Sequence, residues 1–245
     1  MYQQIPLRTH LQSGAALLIF ILILLLATSY TFFGGFSKSR FDNERQATST
    51  DALEQAKDAL IGYAATYRDT HATQVFGYLP CPDQTGNGAA TTPCNNHDEV
   101  SIGLLPYKDL GLPALRDSNG ECLWYAVSGG HKNNPKSTEA FPLGTMNADA
   151  VGHIKITDLN GNPIATPSDS DGGTVAVVFS PGPPRGGAPN RTPINTECSA
   201  DPTLVSAYLD GGYAAANTAS VTSPLTITAG KSHNITNNDL LTWIT

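Results

Sequence analysis

The four cysteines are the residues of this chain with the most definite chemistry: Cys81, Cys94, Cys122 and Cys198. Cysteines in this number form disulfides or bind a metal such as zinc. The chain has no Cys-x-x-Cys pair, which makes a zinc site the weaker interpretation. Four cysteines allow three connectivities. We predict Cys81–Cys94, which closes a short local loop, and Cys122–Cys198, which pins an irregular loop to a sheet.

The next candidate is a calcium loop at residues 83–88, which read DQTGNG. This run partly matches the Asp-x-Asp-x-Asp-Gly pattern whose side-chain oxygens bind Ca²⁺. A calcium site would use Asp83, Thr85 and Asn87, with a further carboxylate from residues 98–99. Two of the expected carboxylates are missing, and this favours the alternative, an ordinary polar turn. No other cofactor is indicated.

Catalytic patterns are weak throughout the chain. Residues 126–130 (AVSGG) only half match the Gly-x-Ser-x-Gly nucleophile elbow, and His131 lies too close to Ser128 in sequence to act as its oriented base. The six histidines are scattered, without His-Glu-x-x-His spacing, and no glycine-rich phosphate loop precedes a helix. We therefore expect that the protein is not an enzyme.

Charge and composition exclude some partners. The chain of 245 residues has 14 Lys and Arg against 21 Asp and Glu, a formal net charge of −7. No basic patch is present, so nucleic acid is not an expected partner. Only 14% of residues are charged, and the chain has 23 Gly and 17 Pro. This composition is typical of a turn-rich extracytoplasmic protein.

The first structural element that the sequence predicts is an apolar N-terminal segment. No charge occurs from Leu11 to Ser37, and residues 15–27 are unbroken apolar. A membrane span needs about 20 apolar residues, and residues 28–36 (TSYTFFGGF) extend the run. We predict a transmembrane helix over residues 15–36.

Residues 12–18 (QSGAALL) place Gly14 directly before this apolar run. This stretch resembles the leader of type IV prepilins, in particular minor pilins and the minor pseudopilins of type II secretion. The resemblance implies that residues 1–14 are a leader, that prepilin peptidase cuts between Gly14 and Ala15, and that Ala15 is then N-methylated. The chain departs from the family at Ile19, where pilins carry a Glu.

Two other interpretations of the N-terminus stay open. In a secretory signal peptide, Arg8 would supply the positive charge, the apolar run the core, and residues 27–29 the small-x-small cleavage site. In an uncleaved signal anchor the run would stay on the chain. Basic residues flank it on both sides, at Arg8 and at Lys38, so the positive-inside signal is weak.

A second helical pattern follows the apolar run. Leu53, Ala56, Leu60, Ala64 and Tyr67 recur at helical spacing, with the charged residues of this stretch largely on other faces. We predict an amphipathic helix half over 37–69, continuous with the apolar half. It would pack on a globular head formed by residues 70–245.

The head shows turns and short strands. Asn119-Gly120 predicts a tight turn, and we predict strands after it at 122–127, a hairpin at 153–165, a central strand at 174–179 and a last strand at 240–244. Residues 79–129 resemble prepilin-like proteins with a Leu-Pro-Cys-Pro-Asp loop, and the 117–125 part resembles a stretch of major pseudopilin heads. The expected fold is α+β and pilin-like: a long N-terminal helix packed on an antiparallel β-sheet head with disulfide-bonded loops.

The resemblance implies a non-catalytic minor pilin or pseudopilin. Its head would lie in the periplasm and its helix in the inner membrane, until helix docking against other pilins moves it into a filament at the cell surface. In pilins the missing Glu is thought to pair with the N-terminal amine of a neighbouring subunit. Burying an amine without that partner costs several kcal/mol. A subunit at the filament tip docks onto no subunit ahead of it and avoids this cost, so Ile19 suits a tip subunit. The alternative function is a signal-anchored periplasmic binding or adhesive domain that never polymerises. The sequence does not distinguish a pilus from a secretion pseudopilus or a DNA-uptake apparatus.

Overall fold

The structure is a computed structural model of the 245-residue chain. It describes residues 13–72, 74–132, 134, 151–167, 173–184, 191, 197–198, 201, 204–210, 224–229 and 238–245, and within helix residues 13–14 and 31–39 only the backbone. Residues 1–12 of the predicted leader lie outside the described residues. The chain divides into two compact units, Met1–Glu44 and Arg45–Thr245.

The first unit contains the beginning of helix α1, which runs from Ser13 to Thr70. No proline interrupts this stretch, so nothing in its backbone chemistry forces a break. The long N-terminal helix expected from the sequence is therefore present. Within the part of the chain that the structure describes, no helix combines the length and the apolar character that crossing a membrane requires. The transmembrane assignment of residues 15–36 is thus not confirmed.

In the second unit, the last turns of α1 bury one face. The five residues whose spacing predicted this face are all buried, together with Ala52. The segment after the helix folds back onto its last turns, since the Ala64 oxygen accepts the N–H of Gly77 at 2.9 Å. Gly77 has φ of 98°, a conformation that glycine adopts without strain. The amphipathic helix half is confirmed in this region.

The rest of the second unit consists of seven strands, a 3₁₀ turn and one short helix. In chain order these are β1 Ser101–Leu104, β2 Trp124–Val127, the 3₁₀ turn Gly129–His131, β3 Ile154–Thr157, β4 Pro163–Ala165, β5 Ala176–Ser180, α2 Val205–Tyr208, β6 Leu225–Thr228 and β7 Leu240–Ile244. The predicted strands at 122–127, 153–165, 174–179 and 240–244 all correspond to elements of this order.

Four of the strands form an antiparallel sheet with the order β1-β2-β5-β7. The two inner strands are buried on both faces. Tyr125 and Val178 belong to the apolar cluster that includes the buried face of α1, whereas Trp124 and Phe179 belong to a cluster on the other side. This double burial explains why the 174–179 run is continuously apolar instead of alternating. The expected antiparallel sheet with a helix on one face is confirmed.

A second sheet has the order β4-β3-β6 and packs in the cluster on the far face of the first. Its β3–β4 hairpin is antiparallel as predicted, and its turn is organised by Asp158, which accepts the N–H groups of Asn160 and Asn162. Strands β3 and β6 are parallel. The head is therefore not purely antiparallel. The sequence did not predict this parallel pair, because parallel strands are joined by a long crossover that leaves no local sequence pattern.

Candidate functional site

The main candidate for a functional surface is the apolar stretch of α1 in the first unit. All ten residues from Leu17 to Leu26 are exposed, with 45% to 69% of each side chain accessible. Burying one such side chain is worth roughly 1.5–3 kcal/mol relative to leaving it in water. An exposed patch of this extent is typical of an interaction surface.

The two hydroxyl groups that follow this stretch, at Thr28 and Ser29, are satisfied within the helix. The Thr28 hydroxyl donates to the carbonyls of Leu24 and Leu25 at 3.0 Å, and the Ser29 hydroxyl donates to the Leu25 carbonyl at 2.7 Å. Such bonds to the preceding turn let hydroxyl side chains enter an apolar environment without an unmet donor. Residues 15–30 therefore present a surface suited to apolar contact.

Ile19 lies in this stretch and is 59% exposed. Leu22 and Ile23 are exposed to the same extent. No carboxylate precedes Asp42 in the chain, so nothing on the apolar part of α1 could pair with an amine of a neighbouring helix. Ala15 is also helical and exposed. Gly14 belongs to the same helix. Whether a peptidase cuts between Gly14 and Ala15 stays a prediction.

Both predicted disulfides are formed in the head. Cys81 and Cys94 are bonded with their Cα atoms 5.9 Å apart, and Cys122 and Cys198 are bonded with theirs 5.5 Å apart. The Cys122–Cys198 bond joins the segment before β2 to a segment that is distant in sequence. All four sulfur atoms are thus accounted for.

The predicted calcium loop is organised around the Asp83 carboxylate, which is fully buried. Its two oxygens accept the N–H groups of Thr85, Gly86 and Gly88 at 2.9, 2.8 and 2.6 Å, and the Thr85 hydroxyl at 3.1 Å. The Asn87 side chain accepts the N–H of Ala89 instead. These donors satisfy the oxygens of Asp83 that would otherwise be available to a cation. No group of three His, Cys, Asp or Glu among the described residues could hold a metal ion.

Asp117 organises the turn that resembles pseudopilin heads. One carboxylate oxygen accepts the N–H groups of Asn119 and Glu121, and the other accepts the Ser180 hydroxyl and the Gly182 N–H. The turn before β2 is thereby tied to the end of β5. The neighbouring Ser118 is also tied to α1, because its N–H donates to the Ser49 hydroxyl at 3.0 Å.

Arg191 was not singled out from the sequence, although it is one of the most connected side chains of the head. Its guanidinium pairs with the buried Glu121 at 3.1 Å and donates to the carbonyls of Gly182 and Ala207 at 2.7 and 2.8 Å. It also lies over the ring of Tyr208, 5.0 Å from the centroid. An arginine inside a loop rich in Gly and Pro carries no periodic signal by which it could be recognised.

Ser128 and His131, the half-match to a nucleophile elbow, both lie inside the head. The Ser128 hydroxyl is fully buried and accepts the backbone N–H of His153 at 2.8 Å. His131 is buried in the 3₁₀ turn. The structure places both residues in a polar cluster with His97, Lys132 and His153.

Compared with models of protein families, with curated proteins and with solved structures, the chain has no match. The resemblance to prepilins therefore depends on residues 12–18 and 79–129 themselves.

Proposed function

We propose that this protein is a minor pilin or pseudopilin that assembles into a filament through the apolar half of helix α1 and has no catalytic role. The observation that carries the proposal is the surface from Leu17 to Leu26, which is fully apolar and exposed. The Thr28 and Ser29 hydroxyls that follow it are bonded within the helix. The same helix continues into an amphipathic half that packs on a disulfide-bonded head. One helix thus has both a surface for its neighbours and a surface for its own head.

In this proposal the partner of the apolar surface is the corresponding helix of other pilin-like subunits. Before assembly the uncharged run from Leu11 to Ser37 is held in the inner membrane with the head in the periplasm. The disulfides are consistent with such an oxidising compartment. Prepilin peptidase is the processing partner, with cleavage after Gly14 and methylation of Ala15.

N-terminal sequencing of the protein from cells with and without prepilin peptidase tests the proposal. The expected result is N-methylated Ala15 as the first residue when the peptidase is present, and Met1 when it is absent. A first residue of Tyr30 in both strains would mean an ordinary signal peptide. Met1 in both strains would mean a signal anchor, which supports the alternative of a periplasmic binding or adhesive domain that does not polymerise.

The position within the filament follows from Ile19. A subunit in the filament body would bury the amine of its neighbour beside this side chain with no carboxylate to pair with it, which costs several kcal/mol. A subunit at the tip has no subunit ahead of it and avoids this cost. We therefore place the protein at the tip, in few copies, acting in initiation of assembly or in contact with a target.

A pair of matched variants tests the tip position. Ile19→Glu and Ile23→Glu change the same residue type, and both side chains are 59% exposed. For a tip subunit we expect both variants to reduce filament assembly to a similar extent, since neither carboxylate meets an amine. Assembly that survives only in Ile19→Glu, or immunogold label along the whole shaft, would place the protein in the filament body.

A further inference from the structure

Three histidines from separate parts of the chain meet inside the head. His131 lies at the end of the 3₁₀ turn, His153 directly before β3, and His97 in the segment before β1. His131 and His153 are 6% and 4% exposed. Three ring nitrogens, Nδ1 of His131, Nδ1 of His153 and Nε2 of His97, are buried without a hydrogen-bond partner among the described residues. Buried polar nitrogens of this kind are rare in folded proteins.

Burial is the main reason why protonation of these rings is costly, and Asp98 offsets that cost only in part at His153. Among the described residues, the titratable groups that face His131 and His153 are His97, Asp98 and Glu99 from the segment before β1, and Lys132 from the end of the 3₁₀ turn. Lys132 is fully buried, and its ammonium donates to the carbonyl of Cys94 and to the Ser101 hydroxyl at 2.8 Å.

The Asp98 carboxylate attracts an imidazolium at His153, but burial of the ring outweighs this attraction. Asp98 is bound to His97 at 2.8 Å, and 84% of its side chain faces solvent. Glu99 accepts the N–H of Asn96 at 3.2 Å. A protonated histidine donates from both ring nitrogens, so each of the two buried rings would gain a charge and an Nδ1 donor that has no acceptor among the described residues.

The cover segment, residues 95–99, lies directly on this cluster. Gly129 is packed so closely beneath it that an added Cβ would lie under 3.0 Å from backbone atoms of Asp98 and Glu99. Two of its bonds are local, from the Glu99 N–H to the Asn96 carbonyl and from the Asn95 side chain to the Val100 carbonyl. The His153 ring hydrogen-bonds the Asp98 backbone and so links the segment to the cluster. The two ends of the segment are tethered by the Cys81–Cys94 disulfide and by β1. It can therefore separate from the 3₁₀ turn while the sheet stays intact.

We propose that the cover segment and the histidine cluster form an acid-sensitive latch, in which protonation of His131 and His153 releases residues 95–99 from the 3₁₀ turn. The closed latch keeps both rings neutral, and the open latch hydrates them. The latch does not rest on the proposed function in a filament.

The direction of the pH effect follows from the two states. Burial lowers the pKa of His131 to about 4, and burial also lowers the pKa of His153. In the open state the rings are hydrated and regain a pKa near 6.5. The open state binds more protons below this value, so the closed state is favoured above about pH 6.5 and loses stability as the pH falls toward 4.

Hydrogen–deuterium exchange of the full-length chain, corrected for the intrinsic rate at each pH, measures the latch directly. Between pH 7 and pH 4.5 we expect protection at residues 95–99 to fall at least about tenfold, because one unit of pKa shift corresponds to a factor of ten. Protection of β5 should stay unchanged. A pH-independent cover segment, or loss of protection in β5 over the same range, would overturn the proposal.

The matched variants are His131→Gln with His153→Gln, which cannot be charged, and His71→Gln, which changes an exposed histidine outside the cluster. The double variant should lose the pH dependence at residues 95–99, and His71→Gln should keep it. A double variant that retains the dependence contradicts the latch. Should the double variant not fold, NMR titration of the unmodified chain decides: His131 and His153 should each titrate below pH 6.5, and ordinary titration of both would overturn the proposal.

Discussion

At the scale of single residues, Arg191 is the side chain whose loss we expect to destabilise the head most. Arg191→Met would leave the buried Glu121 carboxylate without its cation and the carbonyls of Gly182 and Ala207 without a donor. Breaking a buried ion pair by removing one partner typically costs about 3–5 kcal/mol. Chemical denaturation with both disulfides intact measures the change.

The control for this prediction is the double variant Arg191→Met with Glu121→Gln. Removing the stranded charge should restore part of the lost free energy of unfolding, since an uncharged side chain costs less to bury. A single Arg191→Met variant that loses less than about 1 kcal/mol would show that the pair lies in a more hydrated setting than the structure indicates.

Asp83 leads to a prediction about metal dependence. Its carboxylate already accepts three backbone N–H groups and one hydroxyl, so the loop is complete without a cation. We expect neither millimolar CaCl₂ nor EDTA to shift the melting temperature by more than about 1 °C, because an ion that does not bind the folded state does not stabilise it. A rise with calcium that EDTA reverses would instead support a cation at Asp83, Thr85 and Asn87.

At the scale of elements, two glycines give opposite expectations for the same substitution. Gly62→Ala lies in α1, and its new Cβ meets nothing within 4 Å. It should stabilise the protein by about 0.5–1 kcal/mol, the difference in helix propensity. Gly129→Ala places its Cβ under 3.0 Å from the backbone of Asp98, so the cover segment must shift. It should lower the melting temperature. Thermal unfolding of the two variants side by side tests the pair, and equal shifts would contradict the close packing at Gly129.

The elements themselves were largely predictable from local patterns. The α1 face that includes Leu53 and Leu60 follows from helical spacing, and β5 follows from its continuous β-branched run. The pairing of β3 with β6 was not predictable, because parallel partners meet only after a long crossover.

The same limit applies to the sites of the head. Cys81 and Cys94 are near neighbours along the chain, so their bond could be anticipated. His97, His131 and His153 come from separate segments and meet only through the packing of the 3₁₀ turn against the cover segment. Arg191 likewise finds Glu121 only once the loop is folded. Spacing along a sequence does not report contacts of this kind.

At the scale of the whole molecule, the two disulfides decide which parts of the chain can extend when the protein is pulled from its ends. Cys122 and Cys198 are 76 positions apart in sequence, yet their Cα atoms lie 5.5 Å from each other. If the protein is a filament subunit, as we propose, a head attached to a target would carry tension along its backbone. Under such tension an extended chain gains about 3.3–3.6 Å per residue.

The Cys122–Cys198 bond therefore limits how far the molecule can extend when it is pulled. Pulling on both ends of the oxidised protein can lengthen only the residues outside the two closed loops, so unfolding of the head adds little length. In single-molecule force measurements, reduction of this bond should add roughly 250 Å to the unfolding step, and reduction of Cys81–Cys94 far less, because it spans only 13 positions. Equal steps before and after reduction would mean that the bond carries no load. By this reasoning the cross-link makes the head short and stiff as a mechanical connection, whatever it contributes to folding.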